Sequence, residues 1–229
     1  MKVKCFILFC IDIFLLTILI VANSNSTEKL NRFTQTSSTV SESSANSKKV
    51  ALTFDDGPHP RYTQQILAGL KERNAKATFF VIGKNAEMWP DVVKNIYDDG
   101  HLIGNHTYNH VQLNALCLKD QCAEITKANE VIYQITGESP EFIRPTFGEW
   151  DENLECMMDM IPVFWTVDTL DWKTENVDKI VKKGTTNIKD GDIILMHDYY
   201  KTSAIAALKI VDILQKEGFE FVTVDDMIY

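Results

Sequence analysis

Apolar runs of β type alternate with amphipathic stretches of helical period along most of this chain. Val50 to Phe54, Ala77 to Val81, Val163 to Val167, Asp192 to Met196 and Phe219 to Val224 read as strands. Tyr62 to Arg73, Asp91 to Asp98, Asp120 to Ile135, Glu152 to Met160 and Thr202 to Glu217 read as helices between them. The alternation predicts an α/β fold of βα units around a largely parallel sheet or barrel. Carboxylates and a histidine gather where strands end: Asp55 and Asp56 after the first, Asp168 and Asp171 after the third, His197 after the fourth. In (β/α) barrels that end of the strands carries the active site.

Ahead of the alternating region the pattern changes twice. Cys5 to Ala22 is an almost unbroken apolar run with Lys2 and Lys4 before it and Asp12 inside it. That arrangement fits a secretory signal or a membrane anchor held positive-inside, with residues 1–22 leaning toward a retained anchor because Ala22-Asn23-Ser24 is a poor cleavage site. Residues 23–48 are rich in Ser, Thr and Asn, with too little apolar content to offset the entropy of ordering, and read as a tether. Residues 49–229, about 180 in number, suffice for one domain with its own core.

The candidate chemistry begins at Thr53-Phe54-Asp55-Asp56-Gly57-Pro58, where two adjacent carboxylates precede a turn. Alone, such a pair is commonly turn chemistry. His106 and His110 follow at i, i+4, a spacing that on a helical turn would put both imidazoles on one face to share a divalent ion. Asp55 or Asp56 would complete a three-ligand site with a position open for water. Thr107 follows the first histidine, which rules out the zinc protease pattern that needs Glu there. His59, in a Pro-His-Pro turn, and His101, after Gly100, match no ligand position and read as structural, although His59 could touch a sugar at the cleft mouth.

With Arg144-Pro145-Thr146-Phe147-Gly148, Asp168-Thr169-Leu170-Asp171-Trp172 and Leu195-Met196-His197, these segments make five, in an order that resembles the polysaccharide deacetylase family and its NodB homology domain. The resemblance runs from about Lys49 to the C-terminus, and its first two segments are highly specific together. It implies an irregular, incomplete (β/α) barrel of about seven strands. It implies Asp56, His106 and His110 as metal ligands, Asp55 as general base, Arg144 as its orienting partner and His197 as general acid with Asp171 against its imidazole. It also implies Phe147 as the backbone oxyanion donor, and Trp172 and Leu195 as walls of an acetyl pocket with Phe147 at the rim. Zinc is the expected metal, with cobalt, nickel or manganese compatible with the same donors. Two positions depart from the family pattern: Thr146 stands where a second Pro is usual and Phe147 where Tyr is frequent, which bears on loop set and substrate choice more than on catalysis.

The formal charge of −9 and the lack of a Lys/Arg stripe argue against a nucleic-acid partner. Five cysteines leave Cys117, Cys122 and Cys156 outside the apolar run, and Cys117 with Cys122 could pair if a loop precedes the helix there. The expectation is an extracytoplasmic enzyme, membrane-anchored or secreted, that removes N-acetyl groups from peptidoglycan or chitin-type glycan. An O-deacetylase of acetylated xylan and an inactive glycan-binding protein are the alternatives.

Overall fold

The structure, a computed structural model, describes residues 47–150 and 160–228. The expected leader, nearly all of the tether and all but the last residue of the expected helix at Glu152 to Met160 lie outside the described residues. The first described element is β1 (Lys48–Asp55), and a compact unit runs from Lys48 to the C-terminus.

β1 is the hub. Val50, Ala51, Leu52 and Phe54 are fully buried, as expected for a strand covered on both faces in a parallel sheet. One edge of β1 pairs with β7 (Asp192–His197) from Val50↔Asp192 to Asp55↔His197. On the other edge, β8 (Phe219–Val222) pairs with the first half of β1 and β2 (Thr78–Val81) with Thr53 to Asp55. From β2 the sheet continues through β3 (Leu102–Asn105) and β4 (Phe142–Ile143) to β5 (Ile161–Pro162), and beyond β7 it ends at β6 (Val167–Asp168). All pairs are parallel, and the path curls into an incomplete barrel: seven strands in the continuous path, plus β8.

The single strand expected over Val163 to Val167 is instead a crossing between the two ends of the sheet, β5 on one side and β6 on the other. The reason is a buried guanidinium: the carbonyls of Val163 and Phe164 accept from Arg144 Nε (3.2 Å) and Nη2 (3.4 Å). β4, at two residues, is too short to leave a periodic signal.

Helices pack outside the sheet: α1 (Tyr62–Glu72), α2 (Gly83–Met88), α3 (Pro90–Asp98), α4 (Leu118–Thr136), α5 (Val177–Thr185), α6 (Lys201–Lys216) and the short α7 (Asp225–Ile228). Each boundary has a local cause. Pro90 opens α3, Gly137 closes α4 with φ 84°, and the Asn176 side chain accepts from the Lys179 amide at the start of α5. Ile66, Leu67 and Leu70 of α1 join Ala207, Ile210, Val211 and Leu214 of α6 in the main core beneath β1.

Cys117 and Cys122 do not pair. Cys117 is free and exposed just ahead of α4, its thiol directed at Asp120, whereas Cys122 lies inside the helix and is disulfide-bonded to a partner outside the described residues. Among the described residues, no helix is long and apolar enough to cross a membrane.

Candidate active site

Strand order places the chemistry. Because β1 and β7 are in register, Asp55 and His197 are Cα partners on neighbouring strands, with Asp56 one step beyond. His106 follows β3 directly, and its amide donates to the Val81 carbonyl at the end of β2. His106 and His110 are not on a helix. The segment is a tight loop in which Thr107 (φ 61°) and His110 (φ 56°) are left-handed. The Asn105 side chain holds it by accepting from the Thr107 amide (2.6 Å), and the amides of Gly83 and Lys84 donate to the carbonyls of Thr107 and Tyr108. The loop thus brings the two rings together, centroids 5.0 Å apart, by a route that the i, i+4 spacing does not describe.

Asp56 (φ 71°), Phe147 (φ 61°) and Leu170 (φ 55°) are left-handed as well, so strained backbone concentrates around this cleft. Gly57 is required for a different reason: a Cβ there would run into the buried Asp198 carboxylate. Asp198 accepts from the Thr63 hydroxyl (2.5 Å), and burial pushes its carboxyl up to about 7.

Asp56, His106 and His110 offer one ligand atom each, all within 4.8 Å of one another. His106 Nδ1 sits 2.7 Å from the Arg144 carbonyl; since a carbonyl only accepts, Nδ1 donates and the neutral ring turns a bare Nε2 toward the carboxylates. Nε2 is 3.5 Å from Asp56 Oδ1 and 3.9 Å from Asp55, and His110 Nε2 is 3.2 Å from the same Asp56 oxygen. Asp56 Oδ1 is buried with no hydrogen-bond partner of its own. Converging lone pairs around an orphaned carboxylate oxygen call for a cation, and these donors fit a divalent metal. Without one, the demand falls on protons. Burial opposes charge on His106, yet Asp55 and Asp56 outweigh it and raise its pKa, whereas burial and the neighbouring His106 lower that of His110. Burial also works against the Asp56 carboxylate, but the histidines hold it at about 2.

Asp55 and His197 are each oriented by a second group. Arg144, fully buried, spends Nη1 on Asp55 Oδ1 (3.0 Å) and on the Thr53 hydroxyl (2.6 Å), while its plane lies 4.3 Å from the centre of the Phe80 ring. Asp171 takes His197 Nδ1 on Oδ1 (2.8 Å), and the His197 amide (2.8 Å) and Ser203 hydroxyl (2.6 Å) on Oδ2. Nε2 is left for the cleft. Burial disfavours imidazolium at His197, but the hydrogen bond and charge of Asp171, joined by Asp55 and Asp56, lift its pKa to about 9.

These groups line a cleft of roughly 380 Å³. Phe147, Trp172 and Leu195 all face it, as do Pro145, Trp165 and Asp168. Phe147 is 63 % exposed, with its ring edge-on to His110 at 5.0 Å. The Thr146 hydroxyl donates to the Val111 carbonyl (2.5 Å) and so ties the Phe147 turn to the histidine loop. His101 stays apart from the cleft, its Nδ1 accepting from the Ala77 amide, and burial next to Lys76 lowers its pKa to about 4. Sequence reasoning missed Trp165, Ser203 and Asn105 and gave Thr53, the first residue of the Asp55-Asp56 motif, no task; these roles appear only when the fold brings the groups in.

An arginine-held carboxylate beside a trio of metal-type donors, with a buried Asp-His pair opposite, has the makings of a hydrolase centre of the metal-assisted kind. Residues 42–160 match the family model described as polysaccharide deacetylase, and the chain belongs to that family. The Asp171–His197 side of the cleft falls beyond that match. The peptidoglycan-N-acetylglucosamine deacetylase of Bacillus cereus is 41 % identical over 189 residues, covering 80 % of this chain and 69 % of the relative. The peptidoglycan-N-acetylmuramic acid deacetylase PdaC of Bacillus subtilis is 38 % identical over 182 residues, 80 % of this chain. This chain spans only 39 % of that relative's length. The solved structure of the Bacillus subtilis peptidoglycan deacetylase PdaC superposes with a TM-score of 0.77 at 38 % identity, covering 80 % of this chain and 90 % of that one.

Proposed function

We propose that this chain is a metal-dependent hydrolase that removes N-acetyl groups from N-acetylglucosamine-containing polysaccharide, peptidoglycan ahead of chitin-type oligomers. The observation that carries the reading is the apposition of Asp55 and His197 on paired positions of β1 and β7, beside the Asp56, His106 and His110 donors. The peptidoglycan deacetylases among its relatives support the choice of glycan.

Asp56, His106 and His110 would hold the ion, zinc before cobalt, nickel or manganese. When bound, it supplies positive charge that acidifies water and polarises the acetyl carbonyl. Asp55, fixed by Arg144, takes the proton of the attacking water. As the water oxygen bonds to the carbonyl carbon, the backbone N–H of Phe147 donates to the forming oxyanion. His197, charged and held through Nδ1 by Asp171, gives its Nε2 proton to the nitrogen as the C–N bond breaks, so acetate and a free amine leave. Trp172 and Leu195 wall the space for the acetyl methyl, with Phe147 at its rim. Residues 1–22 would export or anchor the chain and residues 23–48 tether it, so that it works outside the cytoplasm.

The test is acetate release from N-acetylglucosamine oligomers by metal-stripped protein titrated with zinc. Release should require the ion and vanish in Asp55→Asn; no release from folded, zinc-loaded protein would overturn the reading. His197→Ala should cost far more on the amide than on an acetate ester, because an alkoxide leaves without a proton more readily than an amine. An equal loss on both would sink the role given to His197.

A further inference from the structure

Outside the cleft, the loops that follow the base and the acid carry a cluster of rings with no assigned task. His59 stacks on Tyr62 with centroids 4.3 Å apart and planes 17° from parallel. Tyr199 meets His59 edge-on at 5.3 Å, and Tyr200 meets Tyr199 edge-on at 5.8 Å. Tyr199 and Tyr200 remain 49 % and 41 % exposed. His59 lies three residues after Asp56 and Tyr199 two after His197, so β1 and β7 deliver both loops side by side to the same rim.

The His59 ring and the loop beneath it are fixed before any ligand arrives. His59 Nδ1 accepts from the amides of Arg61 (3.1 Å) and Tyr62 (3.2 Å), which sets the ring plane. The His59 amide donates to the Thr63 hydroxyl (2.8 Å), and that hydroxyl donates to buried Asp198, locking one loop to the other beneath the rings. Rings already held in place lose little entropy on binding. With Nδ1 occupied as an acceptor, the neutral His59 ring carries its hydrogen on Nε2, a donor for a hydroxyl, and both tyrosines add phenol groups.

We infer that His59, Tyr62, Tyr199 and Tyr200 form a shelf that binds the pyranose ring of a glycan unit adjacent to the one held in the cleft. The inference rests on the glycan reading of the cleft. The ligand chemistry follows from the surface: flat apolar faces edged with hydroxyl-bonding groups match a sugar ring, which presents C–H bonds on its face and hydroxyls at its rim. A nucleobase would match the faces too, but its phosphates would be repelled by a chain of net charge −9.

Chain length reads the shelf out. kcat/KM for acetate release is measured on N-acetylglucosamine monomer and pentamer with the zinc-loaded protein, Tyr199→Ala/Tyr200→Ala and Tyr199→Phe. The advantage of pentamer over monomer should shrink at least tenfold in the double alanine variant and persist in Tyr199→Phe, which keeps the ring. Unchanged advantage in the alanine variant overturns the inference. A calorimetric titration of pentamer into Asp55→Asn protein, with and without the two alanines, needs no turnover and should show at least tenfold weaker binding with them. Tyrosine-dependent binding without acetate release would defeat the hydrolase and keep the shelf; release with tyrosine-independent binding would defeat the shelf and keep the hydrolase.

Discussion

Arg144 is a single side chain on which both site and barrel depend. It neutralises Asp55, and it satisfies the Val163 and Phe164 carbonyls where the sheet changes ends. Arg144→Met would leave Asp55 buried beside an apolar stem, and removing one partner of a buried pair typically costs about 3–5 kcal/mol. A urea titration of the ion-free variant should show that loss. His197 lends itself to a pH test. Its pKa is raised from 6.5 to about 9 in the folded chain, so the stabilisation is complete below pH 6.5 and is lost as pH rises through about 9. Acetate release should therefore fall on the alkaline side as the imidazolium loses its proton, with the metal-loaded limb below 9 because the ion offsets the charges of Asp55 and Asp56. Asp171→Asn should move the limb to lower pH, and an unmoved limb would exclude His197 as its source.

At the scale of elements, the β1–α1 loop is held from behind by Asp198. Gly57→Ala would force a methyl group into that carboxylate, and overpacking of this kind costs about 1–3 kcal/mol. The loop carries Asp56, so zinc affinity should fall as well. Asp198→Ala opens the space, and the double variant should lose less affinity than the two single losses add up to, a coupling that a double-mutant cycle by calorimetry would measure. Elements also decide what could be read in the sequence. Long runs such as Val50 to Phe54 and Thr202 to Glu217 show their period plainly and appear as β1 and α6. β4 has two residues, and the stretch after Ile161 is broken by a side chain from another segment, so neither leaves a local trace. The ten residues expected at the site do gather around one cleft, Arg144 buried behind Asp55 and Asp171 behind His197, because each sits in a short motif at the end of a strand or in a loop after one. The supporting hydroxyl of Ser203 stands in ordinary helix text and becomes visible only through its partner, and the task of Thr53, though it opens the first motif, appears only through Arg144.

For the whole molecule, the donors of the metal-type trio come from loops after β1 and β3 and converge only when the sheet is assembled. Zinc should then bind the folded chain far better than the unfolded one, which lacks the arrangement. A ligand with that preference stabilises by about 2.7 kcal/mol at one hundred times its dissociation constant. A rise in the thermal midpoint with zinc, absent in His106→Ala, is the expected outcome of a calorimetric scan. The same long-range construction explains why periodicity alone shows βα units, while the incomplete barrel comes from the family resemblance: β5 and β6 are near neighbours in the chain and sit at opposite ends of the strand order.

The pairing of β1 with β7 has a further consequence for how the protein is made. Thr53 and Ile194 lie 141 positions apart, so β1 leaves the ribosome long before the strand that pairs with its other edge. In that interval the nascent chain carries a central strand with an open edge, which is a hazard for aggregation and a target for a chaperone. It also carries Asp56, His106 and His110 without His197. A polypeptide cut short before β7 would have the residues of the metal-type trio without His197, so under the proposed mechanism amide hydrolysis would report that synthesis had passed β7.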